Sequence, residues 1–295
     1  MAYYSGGAVD MTAVRAALIA ACTAEGWTWD SGNEVLYKAG VYFHMPVVSG
    51  FLRLQGRTAL TTGAAPELVK IGPFTTSQSG FPVFTWPVAY EVFVFDQEVY
   101  LVINYSVDTY QWLAFGKSSV AGLPGTGAWF AGTSHGTSTS HTNGVAISAS
   151  AGGGLGYFCP GILWASNSLG ENYFVHSDLD GGGWSAVISV GSLVGAGALA
   201  PLVALLPNSW NSEAVLLPVR AYKYRSSSKT SLTADLVHCR ITRNDNLEPG
   251  ELISLGADRW KVFPCFRKNA ADRNSSNTPR IASGTFAMAI RYEGP

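Results

Sequence analysis

The pattern of hydrophobic and polar residues near the N-terminus predicts one amphipathic helix. Its apolar residues recur at intervals of three and four, the spacing that places side chains on one helix face: Met11, Val14, Leu18 and Cys22. Asp10 can cap the first turn with its carboxylate, and Gly26 can end the helix. We therefore predict a helix over residues 10–25.

After Gly26 the hydrophobic period changes from the helical value to two, which is typical of β-strands with one buried face. Turn residues such as Ala39-Gly40 separate the alternating segments. The predicted strands of this meander are Trp27–Trp29, Glu34–Lys38, Val41–Met45 and Phe51–Gln55. The simplest arrangement places the helix on this antiparallel meander.

The clearest β-hairpin of the sequence comes next. Two apolar segments, Ala89–Phe95 and Val99–Tyr105, flank the polar turn 96–98, and Tyr110–Phe115 can add a third strand. All three segments are apolar on both faces. We therefore expect both faces of this sheet to be covered, inside a sandwich or inside an assembly.

The remainder of the sequence alternates between loop-like and strand-like segments. From Gly116 to Gly156 it is rich in Gly, Ser, Thr and Ala, which predicts a long loop or insertion. Short strand-like segments follow at Gly161–Ala165, Tyr173–His176 and Trp184–Val190. A regular block of predicted strands completes the sequence: Ala214–Arg225, Leu236–Arg243, Leu252–Leu255, Arg259–Phe266 and Thr285–Tyr292.

These elements predict a mainly β protein with a minor α contribution. Its core is an antiparallel, β-sandwich-like structure with one N-terminal amphipathic helix and long Gly/Ser-rich loops. We expect two domains, of which residues 1–75 hold the helix and the β-meander. Residues 76–295 form the β-rich second domain, with the Gly/Ser/Thr-rich insertion near residues 116–156.

The composition adds an unusual scarcity of charge. Only 13% of the 295 residues are charged, about half the usual share of roughly 25%, although 47% are hydrophobic. Such a surface suits a protein that neighbouring molecules largely cover. The formal net charge of −1 gives no field that would recruit nucleic acid or an anionic membrane, so DNA packaging is an unsuitable role.

The sequence contains no signal for export or membrane insertion. The opening residues lack a basic region followed by an apolar stretch, and the most apolar segment, 193–206, is short and interrupted by Gly and Pro. We therefore expect a protein made in the cytoplasm. The four cysteines have no CxxC spacing and are predicted to be buried free thiols: Cys22, Cys159, Cys239 and Cys265.

The candidate metal and cofactor motifs are weak. His135 and His141 are six residues apart in a polar segment, without a nearby Cys or carboxylate. The segment 178–183 resembles a calcium loop but lacks the later glutamate, and the glycines at 152–156 precede no Lys-Ser/Thr pair. We expect no metal and no cofactor.

Catalytic groups are equally hard to identify. There is no G-x-S-x-G motif. Four acids near the central hairpin are candidates for sugar cleavage, although acids at turns usually serve solvation: Glu91, Asp96, Glu98 and Asp108. Six tryptophans can stack on sugars, but aromatic residues in strands more often form core or subunit contacts: Trp86, Trp112, Trp129, Trp164, Trp184 and Trp210. We expect no enzymatic activity.

Several segments resemble virion proteins of long-tailed, siphovirus-type bacteriophages, above all tail-tip or baseplate proteins of phages that infect Pseudomonas and related hosts. The resembling segments are Met1–Gly6 with the helix and Gly26–Trp29, Glu98–Tyr105 with Tyr110–Ser118, and Asp258–Pro264 with Ala289–Tyr292. They span most of the chain and leave the glycine-rich middle unmatched. The resemblance implies a location in the phage tail, with assembly in the reducing host cytoplasm, and it transfers no active-site residue.

The resemblance implies a structural subunit that forms a homo-oligomer, a homotrimer in the preferred interpretation, and links the tail hub to fibres. Its partners are then copies of itself and other tail or baseplate proteins. The predicted interface residues are Trp86, Tyr100, Tyr110, Trp112 and Trp129. The alternative is a host-receptor protein whose 116–156 loop binds a glycan or pilus. A depolymerase or peptidoglycan hydrolase is the third hypothesis, and it lacks a convincing acid pair.

Overall fold

The structure, a computed structural model, describes residues 1–73, 83–137, 176–178, 181, 183–184, 191–192, 215–273 and 284–294. The protein is mainly β, with antiparallel sheets and one α-helix, which confirms the predicted fold class. The helix, α1, covers Met11–Ala24. The Asp10 carboxylate accepts a hydrogen bond from the Ala13 N–H at 2.7 Å, and Gly26 follows with a φ of +82°. The predicted helix and its N-cap are confirmed.

One strand precedes the helix, and the other described strands follow it. In chain order they are β1 (Ala2–Ala8), β2 (Thr28–Asp30), β3 (Val35–Lys38), β4 (Val41–His44), β5 (Val47–Val48), β6 (Phe51–Arg57), β7 (Glu67–Ile71), β8 (Val88–Val94), β9 (Glu98–Ser106), β10 (Thr109–Lys117), β11 (Ala128–Gly132), β12 (Ser134–Thr137), β13 (His176–Asp178), β14 (Gly191–Ser192), β15 (Leu217–Arg225), β16 (Lys229–Arg243), β17 (Leu252–Leu255), β18 (Asp258–Pro264) and β19 (Phe286–Arg291). A short 3-10 helix covers Ala270–Asp272.

The strands form three antiparallel sheets. The central sheet has the order β1-β8-β9-β10-β11-β13, and the N-terminal sheet has the order β12-β7-β6-β4-β3-β2, with β5 beside β6. The C-terminal sheet has the order β14-β15-β16-β19-β18-β17. The predicted central hairpin is confirmed, because β8 pairs with β9 and Phe93 lies opposite Tyr100.

The central sheet is the middle layer of the molecule. The side chains of each strand contribute alternately to two hydrophobic cores, because successive side chains of a strand point to opposite faces of the sheet. Tyr100 and Val102 contribute to the core shared with the C-terminal sheet, whereas Leu101 and Ile103 contribute to the core shared with α1 and the N-terminal sheet. The two covered faces predicted for the hairpin are therefore both covered by this chain itself.

Two predicted boundaries do not match the pairing of the strands. The division at residue 75 separates β1 from β8, yet these strands pair over seven residues, and β12 joins the N-terminal sheet through β7. The predicted loop over 116–156 is wrong for its first part, because β11 and β12 lie within it. Gly116 itself lies in β10, where an added Cβ would approach the Gln97 carbonyl oxygen at 2.1 Å.

Several other predictions fall partly outside the described residues. These include residues 138–156 of the loop, the strand-like segment 161–165, residues 173–175 and residues 185–190. Cys22, Cys239 and Cys265 are buried free thiols as predicted, whereas Cys159 is not described. Among the described helices, none has the length and apolar character needed to cross a membrane.

Candidate contact surface

Four of the five predicted interface residues belong to the interior of the single chain. Tyr100, Trp112 and Trp129 are at most 1% exposed and Tyr110 is buried as well. Their rings pack in the core between the central and C-terminal sheets, where the Trp112 and Phe263 ring centroids are 5.6 Å apart. The prediction that they form subunit contacts is wrong, because the C-terminal sheet already covers this face.

Trp86 is the predicted interface residue that does reach the surface, with 36% of its area exposed. It precedes β8, beside the end of β9, because the two strands are antiparallel and Ala89 lies opposite Asn104. Val83 and Val107 lie at the same end of the central sheet and are 75% and 81% exposed. We call the group Val83, Phe84, Trp86 and Val107 the apolar end of the central sheet.

Aromatic stacking fixes the apolar end to the sheet. The half-buried Phe84 ring stacks on the buried Tyr105 ring with centroids 4.7 Å apart and planes 8° apart, and the Trp86 ring lies 5.1 Å from Phe84. The backbone N–H of Thr85 donates to the Tyr105 carbonyl oxygen at 3.4 Å. The exposed side chains therefore project from an anchored segment, so a partner that covers them orders little additional chain.

The chemistry of this end suits a contact and not a reaction. Val107 occupies the turn between β9 and β10, a place where polar residues are usual, and Asp108 beside it has a φ of +50°. Burial raises the pKa of Tyr105, whose ring forms the floor of the group. Apolar side chains that remain this exposed gain free energy when a second surface removes them from water.

Apolar side chains are also exposed on the C-terminal sheet. Leu252 and Leu255 of β17 are exposed, and in the described residues β17 pairs with β18 alone. A strand of four residues offers few backbone groups for pairing, and short edge strands are one way in which proteins limit association. The apolar end of the central sheet is therefore the better candidate for a contact.

Three of the four acids near the central hairpin are held by other groups of the chain. Glu91 accepts hydrogen bonds from Lys261 at 2.5 Å and from the Tyr3 hydroxyl at 2.8 Å, and Asp96 pairs with Lys38 on the surface. Although burial opposes the charge of Lys261, its contacts with Glu91 and Tyr3 raise its pKa.

Glu98 has a separate, buried environment. Its carboxylate accepts hydrogen bonds from the Tyr100 hydroxyl at 2.8 Å and from the backbone N–H groups of Val237 at 2.8 Å and His238 at 3.1 Å. Burial raises the pKa of Glu98, although these three hydrogen bonds lower it. Glu98 therefore joins the central sheet to β16 of the C-terminal sheet.

The metal candidates gain no support from the described residues. Asp178 accepts hydrogen bonds from the N–H and the hydroxyl of Thr126, which gives its carboxylate a role in holding β13. His135 lies in β12, His141 is outside the described residues, and so is Asp180. In the part of the chain that the structure describes, no three His, Cys, Asp or Glu side chains come together in a group that could hold a metal ion.

No protein-family model matches this sequence, and no curated protein matches it significantly. Function must therefore be inferred from the placement of the residues. Val83 and Val107 were not identified from the sequence. Val107 could have been recognised as an apolar residue in the turn 106–108. Val83 could have been recognised as the start of a largely apolar segment, 83–88, that does not alternate between polar and apolar residues.

Proposed function

We propose that the protein is a non-enzymatic structural subunit of a bacteriophage tail tip or baseplate. In this role it assembles as a homotrimer, joins the tail hub to fibres and contacts other tail proteins through exposed apolar side chains. Its location is the virion, and its assembly takes place in the host cytoplasm.

The apolar end of the central sheet is the observation that carries this proposal. It combines two valines that are 75% and 81% exposed with an exposed tryptophan on an anchored backbone. Aromatic residues at the centre of an interface commonly contribute on the order of 2 kcal/mol each to binding. Trp86 thereby keeps the role predicted for it, while the other four predicted residues stabilise the subunit.

The resemblance to tail proteins supports the proposal from the sequence side. The resembling segments build β1 and α1, the pair β9 and β10, and the pair β18 and β19. Of these strands, β1, β9 and β10 belong to the central sheet, and β18 and β19 belong to the sheet that covers one of its faces. The resemblance thus concerns the elements that form the layered core.

The direct test is the mass of the assembled protein. We expect the wild-type chain to form a trimer by size-exclusion chromatography with light scattering. Val107→Asp should shift the protein toward monomer and weaken association at least tenfold, because it places a carboxylate in an apolar contact. Leu255→Asp is the matched control, since Leu255 is 56% exposed but lies in β17, at the edge of the C-terminal sheet.

The outcomes separate the proposed role from its rivals. A wild-type monomer that fails to bind any tail protein of its phage would overturn the proposal. Binding of the monomer to host cells, lost in Trp86→Ala, would favour the alternative function of a host-receptor protein that holds a glycan or pilus.

A further inference from the structure

A second cluster of interest surrounds His238, where β16 bulges away from β15. Val219 lies opposite Leu236, whereas the residue before it, Pro218, lies opposite Arg240. Residues 237–239 therefore have no partner on β15. The Glu98 carboxylate instead accepts hydrogen bonds from the backbone N–H groups of Val237 and His238. We call His238, Phe95, Glu98, Arg291 and Glu293 the His238 junction.

The imidazole ring of His238 is held between the sheets. It stacks on Phe95, which follows β8, with ring centroids 3.8 Å apart and planes 3° apart. Its Nδ1 atom is buried and has no hydrogen-bond partner among the described residues. Because both ring nitrogens of a protonated imidazole carry hydrogen, protonation would leave a buried N–H donor without an acceptor.

The charges around the ring also oppose a proton. Arg240 on β16, Arg291 at the end of β19 and the amino group of Met1 before β1 are positive, whereas the Glu293 carboxylate is negative. Glu293 is itself engaged, 3.1 Å from Arg291 Nε and 3.8 Å from the Met1 nitrogen. Asp258, which pairs with Arg291 at 2.9 Å, and the buried Glu98 complete the set of charges.

This geometry lowers the pKa of His238. Burial, and then the charge of Arg291, lower its pKa from the ordinary value of 6.5 to about 4. Above pH 6.5 the ring is neutral in both folded and unfolded chains. As the pH falls below 6.5 the unfolded chain takes up a proton that the folded chain resists, so stability is lost down to about pH 4.

We propose that the His238 junction is an acid-sensitive latch, in which protonation of His238 releases the β16 bulge from Phe95 and from the end of β8. Phe95 and Cys239 lie in the core between the central and C-terminal sheets, whereas the core around α1 contains no residue of the junction, so α1 should keep its packing. Cation–π attraction between the imidazolium and Phe95 partly offsets the release. Glu98 has the opposite effect on stability at low pH. Because its pKa is raised in the folded chain, the folded chain binds a proton at Glu98 more readily than the unfolded chain does. The latch does not depend on the proposed tail function.

Amide hydrogen exchange of the full chain at pH 7 and pH 4.5, corrected for intrinsic rates, tests the latch. We expect the amides of Phe95 and of residues 237–239 to exchange about ten- to a hundredfold faster at pH 4.5, relative to those of α1, since one titrating group changes an opening constant by up to tenfold per pH unit and two units separate pH 6.5 from pH 4.5. His238→Phe keeps a ring on Phe95 and should abolish this acceleration. His44→Phe is the control, because burial also lowers the pKa of His44, which lies in β4 of the N-terminal sheet.

Two results would overturn the latch. One is the same acceleration in His238→Phe as in the wild type, and the other is equal acceleration in α1, which would indicate global unfolding. If His238→Phe does not fold, NMR titration of His238 in the wild type decides, and a pKa near 6.5 would remove the basis of the latch.

Discussion

At the scale of single residues, Glu98 shows how one buried carboxylate can join two sheets. Only 4% of the residue is exposed, and its oxygens satisfy two backbone N–H groups that the bulge in β16 leaves without a strand partner. These two hydrogen bonds are partly buried, and they replace the strand pairing that the bulge interrupts. Nothing in the sequence around Glu98 distinguishes it from an ordinary acid at a hairpin turn, and it was predicted as one.

Replacing Glu98 therefore should destabilise the fold strongly. Glu98→Ala removes the acceptor of the buried Tyr100 hydroxyl and of two partly buried N–H groups, and should lower the free energy of unfolding by about 3 kcal/mol. Tyr100→Phe, which removes only the hydroxyl that also binds Glu98, should cost about 1 kcal/mol. Urea denaturation at pH 7 measures both variants. Equal stability of Glu98→Ala and wild type would show that the bulge finds other acceptors.

At the scale of elements, the regular patterns predicted structure well. The helix followed from the spacing of Met11, Val14 and Leu18, and the central hairpin followed from apolar segments around a polar turn. β11 was missed because its Trp129-Phe130 pair stands alone among Ala, Gly, Ser and Thr residues that resemble a linker, although the strand is buried throughout. Small residues are compatible with both loops and tightly packed strands, so composition alone could not separate them.

The N-cap of α1 offers a test at this scale. Asp10→Ala removes the acceptor of the Ala13 N–H and should lower stability by about 1 kcal/mol. Asp10→Asn retains a capping oxygen and should change stability by only a few tenths of a kcal/mol. Thermal denaturation of the three proteins side by side gives the comparison, and indistinguishable melting temperatures for Ala and wild type would contradict a stabilising cap.

At the scale of the whole molecule, the sequence predicted that the central sheet is covered but not what covers it. The continuous apolar segments of β9 and β10 reveal two apolar faces, yet this pattern is the same whether a second chain or a distant part of the same chain covers them. The strands of the C-terminal sheet were predicted individually from their own patterns. Their packing against Tyr100 and Trp112 depends on long-range contacts that have no local signal.

The shared core predicts that residues 1–75 do not fold alone. α1 packs with Val92, Val99 and Leu101 of the central sheet, and β1 needs β8 as its partner. We expect the isolated fragment to lack cooperative thermal unfolding by circular dichroism. Co-expression with residues 76–295 should restore a folded complex. A sharp melting transition of the fragment by itself would show that the first segment is an independent domain.

The two-sided packing of β9 also restricts how the length of this protein can change. Inserting one residue before Tyr100 in β9 would invert the strand from that point onward, sending Tyr100 toward the core around the helix and Leu101 toward the C-terminal sheet. Neither layer has the shape for the exchanged set. Homologues should therefore differ in length at turns such as 96–98 and keep an invariant residue count between the ends of this strand.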